Sequence, residues 1–328
     1  MANAKTGVKL RSSNNNNTND HASPAASPHT DGGKKEAAKP LVRLLSWDDL
    51  PPWRRDNSFI LTGYRPHVAT VANVFSSLLH LHNESVNIWS HLLGGLTSVL
   101  FASSLFLLTH HVVLPRYPSA SRADAAVFAA FLGGAAACMG MSAAFHALLS
   151  HSRAAARWGN KLDYTGIVAL IVGSYVPALY YGFFCEPRLM EVYMSLICLL
   201  GLACTTVSWV DRFRTPAWRP YRAAVFVALG LSGVVPVVHG VRLHGYAVLD
   251  RRMSVSLVIL HGALYIFGAV LYAMRWPERS SPGSYDIWGS SHQIFHVFVI
   301  LAAGTHLYAM VNAFDHHHTV MGAQCLLD

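Results

Sequence analysis

The chain has 328 residues, 52% of them hydrophobic and only 13% charged, with a formal net charge of +8 and a pI of about 9.4. Repeated long apolar runs at so low a charge exclude an ordinary soluble domain and predict an all-α polytopic membrane protein. The basic balance is met by arginines facing anionic lipid and calls for no nucleic-acid partner.

Residues 1–40 carry no apolar h-region and are rich in Asn, Ser, Ala, Pro and Lys, including the run SSNNNNTND. They read as a disordered cytoplasmic tail and not as a signal peptide. Residues 41–87 mix Trp47, Trp53, Phe59 and Tyr64 with arginines, the composition of a juxtamembrane segment expected to pack beneath a helix bundle. Windows of about 20 apolar residues then predict seven spans, near 88–110, 124–149, 162–184, 191–210, 223–241, 254–272 and 292–314. Residues 88–314 thus form the transmembrane domain, and 315–328 a short outer tail. The runs are continuous and do not alternate with period two, which argues against a β-barrel. Gly201, Gly230, Gly233, Pro236 and Gly262 interrupt spans four to six, as transmembrane helices tolerate. Gly133, Gly134 and Gly140 suit close helix contacts.

Orientation follows from Lys and Arg counts on the two sides. With the N-terminus inside, the inner segments hold thirteen such residues, from Arg43 to Arg279, and the outer segments six: Arg116, Arg122, Arg188, Arg242, Arg251 and Arg252. The N-terminus is predicted cytoplasmic and the C-terminus outside, the reverse of a G-protein-coupled receptor. That topology puts the glycosylation-like Asn83-Glu84-Ser85 on the wrong side, so it is assigned no role. Cys138, Cys198 and Cys204 fall within spans, whereas Cys185 and Cys325 both fall outside. An oxidising compartment permits those two to form a disulfide, but unpaired thiols are the favoured expectation.

The chemistry lies at the inner ends of the spans. His292 and His296 are four apart on one helix and project from one face. The second span runs inward and ends near His146, and Asp163 opens the third at the same depth. At about 1.5 Å per residue, all four lie within roughly 10 Å of the inner edge of the hydrocarbon. Three histidines and an open position make the catalytic zinc arrangement, in which bound water titrates near pH 7. Gln293 stands where a zincin would carry its glutamate, so Asp163 is the candidate base. An ionisable group inside a span costs a few kcal/mol and normally has a partner or a task. A plainer origin for Asp163 is a helix N-terminus, where the dipole favours an acid. Nineteen histidines are present, and His110, His111, His239, His261 and His306 are read as structural. The run His316 to His318 could bind metal loosely but belongs to the outer side.

The segments SSLLHLHNESVNIWSHLLG, SAAFHALLSHS, KLDYTGIVALIVGSYVPALYYGF and SHQIFHVFVILAAGTHLY together carry a resemblance. They combine Ser142-x-x-x-His146, Asp163 seventeen residues later, and the Ser291-His292 to His296 motif. Over roughly residues 45–315 the chain resembles the adiponectin receptors of the progestin and adipoQ receptor superfamily, which includes the haemolysin III proteins; its nearest likeness is to fungal members. The resemblance implies an inverted seven-helix bundle, zinc on His146, His292 and His296, Asp163 on the zinc-bound water, and Ser142 one layer behind. It also implies receptor-like signalling, ceramidase activity in some members, and lipid, sterol or zinc homeostasis in fungal ones.

Two functional readings follow. One is a zinc-dependent hydrolase of lipid amides such as ceramide. The other is a non-catalytic receptor in which a structural zinc ties spans two, three and seven together and an extracellular protein is the ligand. A transporter is disfavoured because no charged path crosses the spans, and a retinal protein because Lys161 is the only lysine beyond residue 39. Plasma membrane and internal membrane are equally compatible with the chain.

Overall fold

The computed structural model describes residues 43–68 and 70–325; the expected tail at 1–40 lies outside the described residues. Among the described residues, seven helices are long and apolar enough to cross a membrane. They are preceded by α1 (Val71–Ser77) and formed by α2 (Ser85–Leu108), α4 (Arg122–Leu148), α5 (Arg153–Gly182), α6 (Pro187–Trp209), the pair α7 (Arg219–Leu231) and α8 (Val234–His244), α10 (Val255–Met274) and α11 (Ser291–Thr319). Short helices α3 (Leu114–Arg116) and α9 (Tyr246–Met253) lie in connections. Among the described residues the only strand-like pairing is the bridge between Leu45 and Tyr64.

Burial sorts the helices. Half of the most apolar stretch of α4 and of α5 is buried, against 17% for α2 and 6% for α10, so α4 and α5 are central. Their contact is close because the sequence puts small residues there. A Cβ at Gly134 would lie 2.5 Å from Ala169 O, one at Gly166 2.8 Å from Cys138 Cα, and one at Gly173 2.6 Å from Ala130 O. Gly133 and Gly140, grouped with Gly134 in the sequence reading, would meet nothing within 4 Å. Gly173→Ala is accordingly expected to destabilise the bundle by about 1–3 kcal/mol. A lowered melting point for purified Gly173→Ala, with Gly133→Ala unchanged, is the check.

The third span departs from its predicted start. Instead of opening near 162, α5 begins at Arg153, capped by Ser152, whose hydroxyl accepts from Ala155 N at 3.1 Å. Polar residues 153–161 prolong the helix past the hydrocarbon, where a hydropathy window does not register them. Asp163 therefore lies ten residues inside α5, beyond the reach of a helix-end dipole, and the dipole explanation falls. The fifth span breaks between α7 and α8 at Ser232 and Gly233. Pro236 withholds the amide that Ser232 O would accept, and Tyr175 OH fills the break by bonding Gly230 O at 2.8 Å.

At its far end α11 runs to Thr319, not 314. His317 and His318 are 2% and 8% exposed and pack into the bundle end. His318 bridges Asp124 Oδ1 at 3.1 Å and Ser119 Oγ at 2.8 Å, and Asp124 also accepts from Tyr181 OH at 2.9 Å. Beyond the helix, Gly322 and Ala323 adopt left-handed φ values of +59° and +57° and turn the chain back. Cys325 thereby meets Cys185 in a disulfide, Cα to Cα 5.5 Å, contrary to the expectation of free thiols. Neither cysteine's position in space is visible without that turn.

At the opposite end, residues 43–68 and the α10–α11 connection lock together. Asp286 accepts from Leu61 N, Thr62 N and Thr62 Oγ1 at 2.8, 2.7 and 2.6 Å. Glu278, wholly buried, accepts from Asn57 Nδ2 and from the first residue of α11, through Ser291 N at 2.7 Å. A carboxylate there also complements the helix N-terminus. Arg219 pairs with Asp56 and lies over the Tyr272 ring at 4.6 Å.

Candidate metal centre

His146 sits in the last turn of α4, and His292 and His296 in the first two turns of α11. Their nearest ring nitrogens lie within 4.8 Å of one another, close enough to share one ion. Ring centroids are 4.8, 5.0 and 4.9 Å apart, with the planes steeply inclined to each other. His146 and His296 are each 1% exposed, while His292 is half-buried. Among the described residues this is the only group of three such side chains that could hold a metal.

Two of the three histidines have one ring nitrogen already engaged. His146 Nδ1 lies 2.7 Å from Glu84 Oε2, and His296 Nδ1 lies 3.1 Å from the carbonyl of Asn87. His146 Nε2 is buried with no hydrogen-bond partner among the described residues. A buried imidazole nitrogen costs stability unless something binds it. Three imidazoles converging with a donor nitrogen so left over fit an ion that prefers nitrogen ligands.

Asp163 approaches from α5 beside Ser142 of α4, whose side chain is 2% exposed and acts on the carboxyl. It is not one of the converging trio. Asp163, His146 and His292 face a common cavity of about 1300 Å³, larger than the roughly 300–1,000 Å³ usual for small-molecule pockets. Ile167, Phe226, Ala269, Tyr272 and Phe295 form apolar and aromatic wall, and Arg153, Arg157 and Asp211 stand among its polar lining. No such cavity was identifiable from the sequence.

Gln293, set aside as a missing zincin glutamate, has a structural task. Its Nε2 donates to Asn83 O at 3.2 Å and Ile287 O at 2.8 Å, and its Oε1 accepts from Gly289 N at 2.6 Å. The structural histidines stay apart from the trio: His239 Nδ1 is 2.7 Å from Tyr193 OH, and His306 packs against His261 and Phe131.

The first turns of α2 are the part that the sequence reading passed over. Glu84, Asn87 and His91 recur at spacings of three and four, one face of a helix. His91 stacks on His296 with centroids 3.6 Å apart and planes 8° from parallel. That polar stripe on an otherwise apolar helix was the available signal. Arg65 supports the same corner, donating to His146 O at 2.6 Å and Ser77 Oγ at 3.0 Å. Burial lowers the Arg65 guanidinium to about 10, opposed by the nearby Glu84, so it stays charged at neutral pH. Burial likewise lowers His82 to about 4, which keeps its Nδ1 free to accept from Glu84 N at 3.0 Å.

With this geometry in view, sequence comparison decides the family. The profile described as "HlyIII: Haemolysin-III related" matches residues 79–307. The chain belongs to the haemolysin-III related family. Within that family it is 43% identical over 286 residues to the "ADIPOR-like receptor IZH2" of Saccharomyces cerevisiae, spanning 87% of this chain and 89% of that one. It is 43% identical over 268 residues to the "Adiponectin receptor protein" of Drosophila melanogaster, covering 82% of this chain and 59% of the fly protein. It is 36% identical over 320 residues to the "Heptahelical transmembrane protein ADIPOR1" of Oryza sativa subsp. japonica, covering 82% and 84%. This haemolysin-III related chain is thus an adiponectin-receptor-like, seven-helix, multi-pass membrane protein.

Proposed function

We propose that the protein is a zinc-dependent lipid amide hydrolase acting on ceramide-class substrates in lipid signalling or in lipid and zinc homeostasis. The observation that carries this reading is the shared wall: His146, His292 and Asp163 face one large, partly apolar cavity. A three-histidine donor set suits zinc and leaves a coordination position over, whereas purely structural zinc is normally closed by four protein ligands. When bound, zinc would supply Lewis acidity toward a carbonyl and toward water.

The chain's own groups supply the remainder. Asp163, oriented by Ser142, holds a water and takes its proton as the oxygen bonds to the amide carbon. The carbon–nitrogen bond then breaks, and the proton passes from the Asp163 carboxyl to the leaving amine. A fatty acid and a sphingoid base result. The apolar wall accommodates an acyl chain and limits competing water. The test is fatty-acid release from a ceramide series by purified protein, comparing wild type with Asp163→Asn at matched zinc content.

The receptor names of the relatives favour a second reading, in which zinc ties α4, α5 and α11 together and an extracellular protein shifts the bundle. In that case Asp163→Asn leaves both signalling and background lipid hydrolysis as in wild type.

The same proposal sets the metal centre at the cytoplasmic face and the C-terminal end outside. Thirteen against six Lys and Arg residues support it, as does a disulfide at the bundle end opposite the histidines, since disulfides persist in oxidising compartments. In intact cells, Cys185→Ser is expected to expose Cys325 to a membrane-impermeant thiol reagent that leaves wild type unlabelled. Labelling that requires permeabilisation would reverse the orientation.

A further inference from the structure

We propose that Glu84 is a positioning residue of the metal centre, holding His146 in the one tautomer that presents Nε2 as a donor to the ion. The inference rests on the zinc reading above. Glu84 Oε2 lies 2.7 Å from His146 Nδ1, and Asn87 Nδ2 donates to the same oxygen at 2.7 Å. An ionised carboxylate only accepts hydrogen bonds, so Nδ1 must carry the proton. The neutral ring then keeps its lone pair on Nε2, the atom that is buried and has no hydrogen-bond partner among the described residues. Carboxylate, imidazole and metal in series is the arrangement by which an outer group orients a ligand and raises its basicity.

A plainer role for Glu84 is to cap α2, at whose N-terminus it stands. Its side chain makes no cap hydrogen bond. The turn is closed by other groups: Ser85 Oγ accepts from His82 N at 3.0 Å, and His82 Nδ1 accepts from Glu84 N. The carboxylate is left to His146 and Asn87. Its side chain is 19% exposed and that of His146 2%, so the hydrogen bond is largely shielded from water. His296 has a weaker counterpart, since the neutral Asn87 carbonyl holds its Nδ1 at 3.1 Å. Charge-assisted bonds are about twice as strong as neutral ones, so the orienting effect is concentrated on His146. The Asn83-Glu84-Ser85 motif, without a role as a glycosylation acceptor, acquires one here.

The experiment measures zinc affinity of the purified full-length protein by competition with a chromogenic chelator, alongside melting of the metal-free protein. Glu84→Gln is expected to weaken zinc binding by about 10–100-fold with metal-free melting unchanged. Glu84→Asp, retaining the charge on a shorter stem, recovers part of the loss. If Glu84→Gln does not yield folded protein, Asn87→Ala, which removes the second bond to Oε2, is expected to weaken binding in the same direction by a smaller factor. Equal affinity in wild type and every such variant, with His296→Ala still losing zinc, overturns the role of Glu84 and leaves the zinc centre standing. Lowered metal-free melting with undiminished affinity of the folded fraction overturns it too, because a purely structural residue behaves that way. A wild-type protein that takes up no zinc overturns both proposals.

Discussion

Asp163→Asn is expected to reduce fatty-acid release from ceramide by about 10²–10⁴-fold, the usual contribution of a positioned acid–base group, with zinc content at the wild-type level. Asparagine has nearly the same shape and keeps an oxygen that can accept from Ser142, but it cannot take a proton from water. Because Asp163 lies outside the histidine trio, its loss removes no nitrogen donor. Its place ten residues inside α5 means that no helix cap or dipole partner is lost either. Replacing an ionisable group within a span relieves a cost of a few kcal/mol, so the melting point should hold or rise. Lost turnover in a stable, zinc-loaded variant therefore reads on chemistry alone. Indistinguishable rates in variant and wild type would sink the hydrolase and leave a zinc-tied receptor.

His296→Ala is expected to abolish stoichiometric zinc binding and to lower the melting point measured in zinc. An ion bound only by the folded state stabilises it by about 4.1 kcal/mol at a free concentration 1,000 times Kd. That linkage is missing when one of three donors is gone. Removing the ring also opens space beside His91, which stacks on it, so a smaller loss should persist in excess chelator. The control is His306→Ala, ten residues along the same helix and equally buried at 1%, which should lose packing but not zinc. Retention of one zinc per chain by His296→Ala would refute the assigned ligand set.

Much of the centre was legible because a helix turns distance along the sequence into direction. His292 and His296, four apart, had to share a face, and the end of one apolar run followed at once by the start of another had to bring His146 and Asp163 to one end of the bundle. Glu84 was not legible by that logic. It lies just before an apolar run, within a motif that suggested another meaning, and its partner is 62 residues away. Helix ends were misplaced wherever polar residues continued the helix. Arg153 to Lys161 and Asp315 to Thr319 are helical because capping and tertiary partners stabilise them, as Ser152 does for α5 and Asp124 for His318. A hydropathy window has no access to such partners.

Composition and periodicity by themselves determined the seven-helix membrane class, because the cost of unpaired backbone in lipid forces a long apolar run to be helical whatever surrounds it. They also determined which histidines share a helix face. Only the tertiary structure decided which outer groups orient those histidines, that His146 and His292 border a cavity of about 1300 Å³, and that Cys185 meets Cys325 across a separation of 140 residues. Each of these depends on how separate helices are placed side by side. That placement is set by the fit of small residues such as Gly134, Gly166 and Gly173 against neighbouring backbone, a matter of shape that no one-dimensional pattern contains.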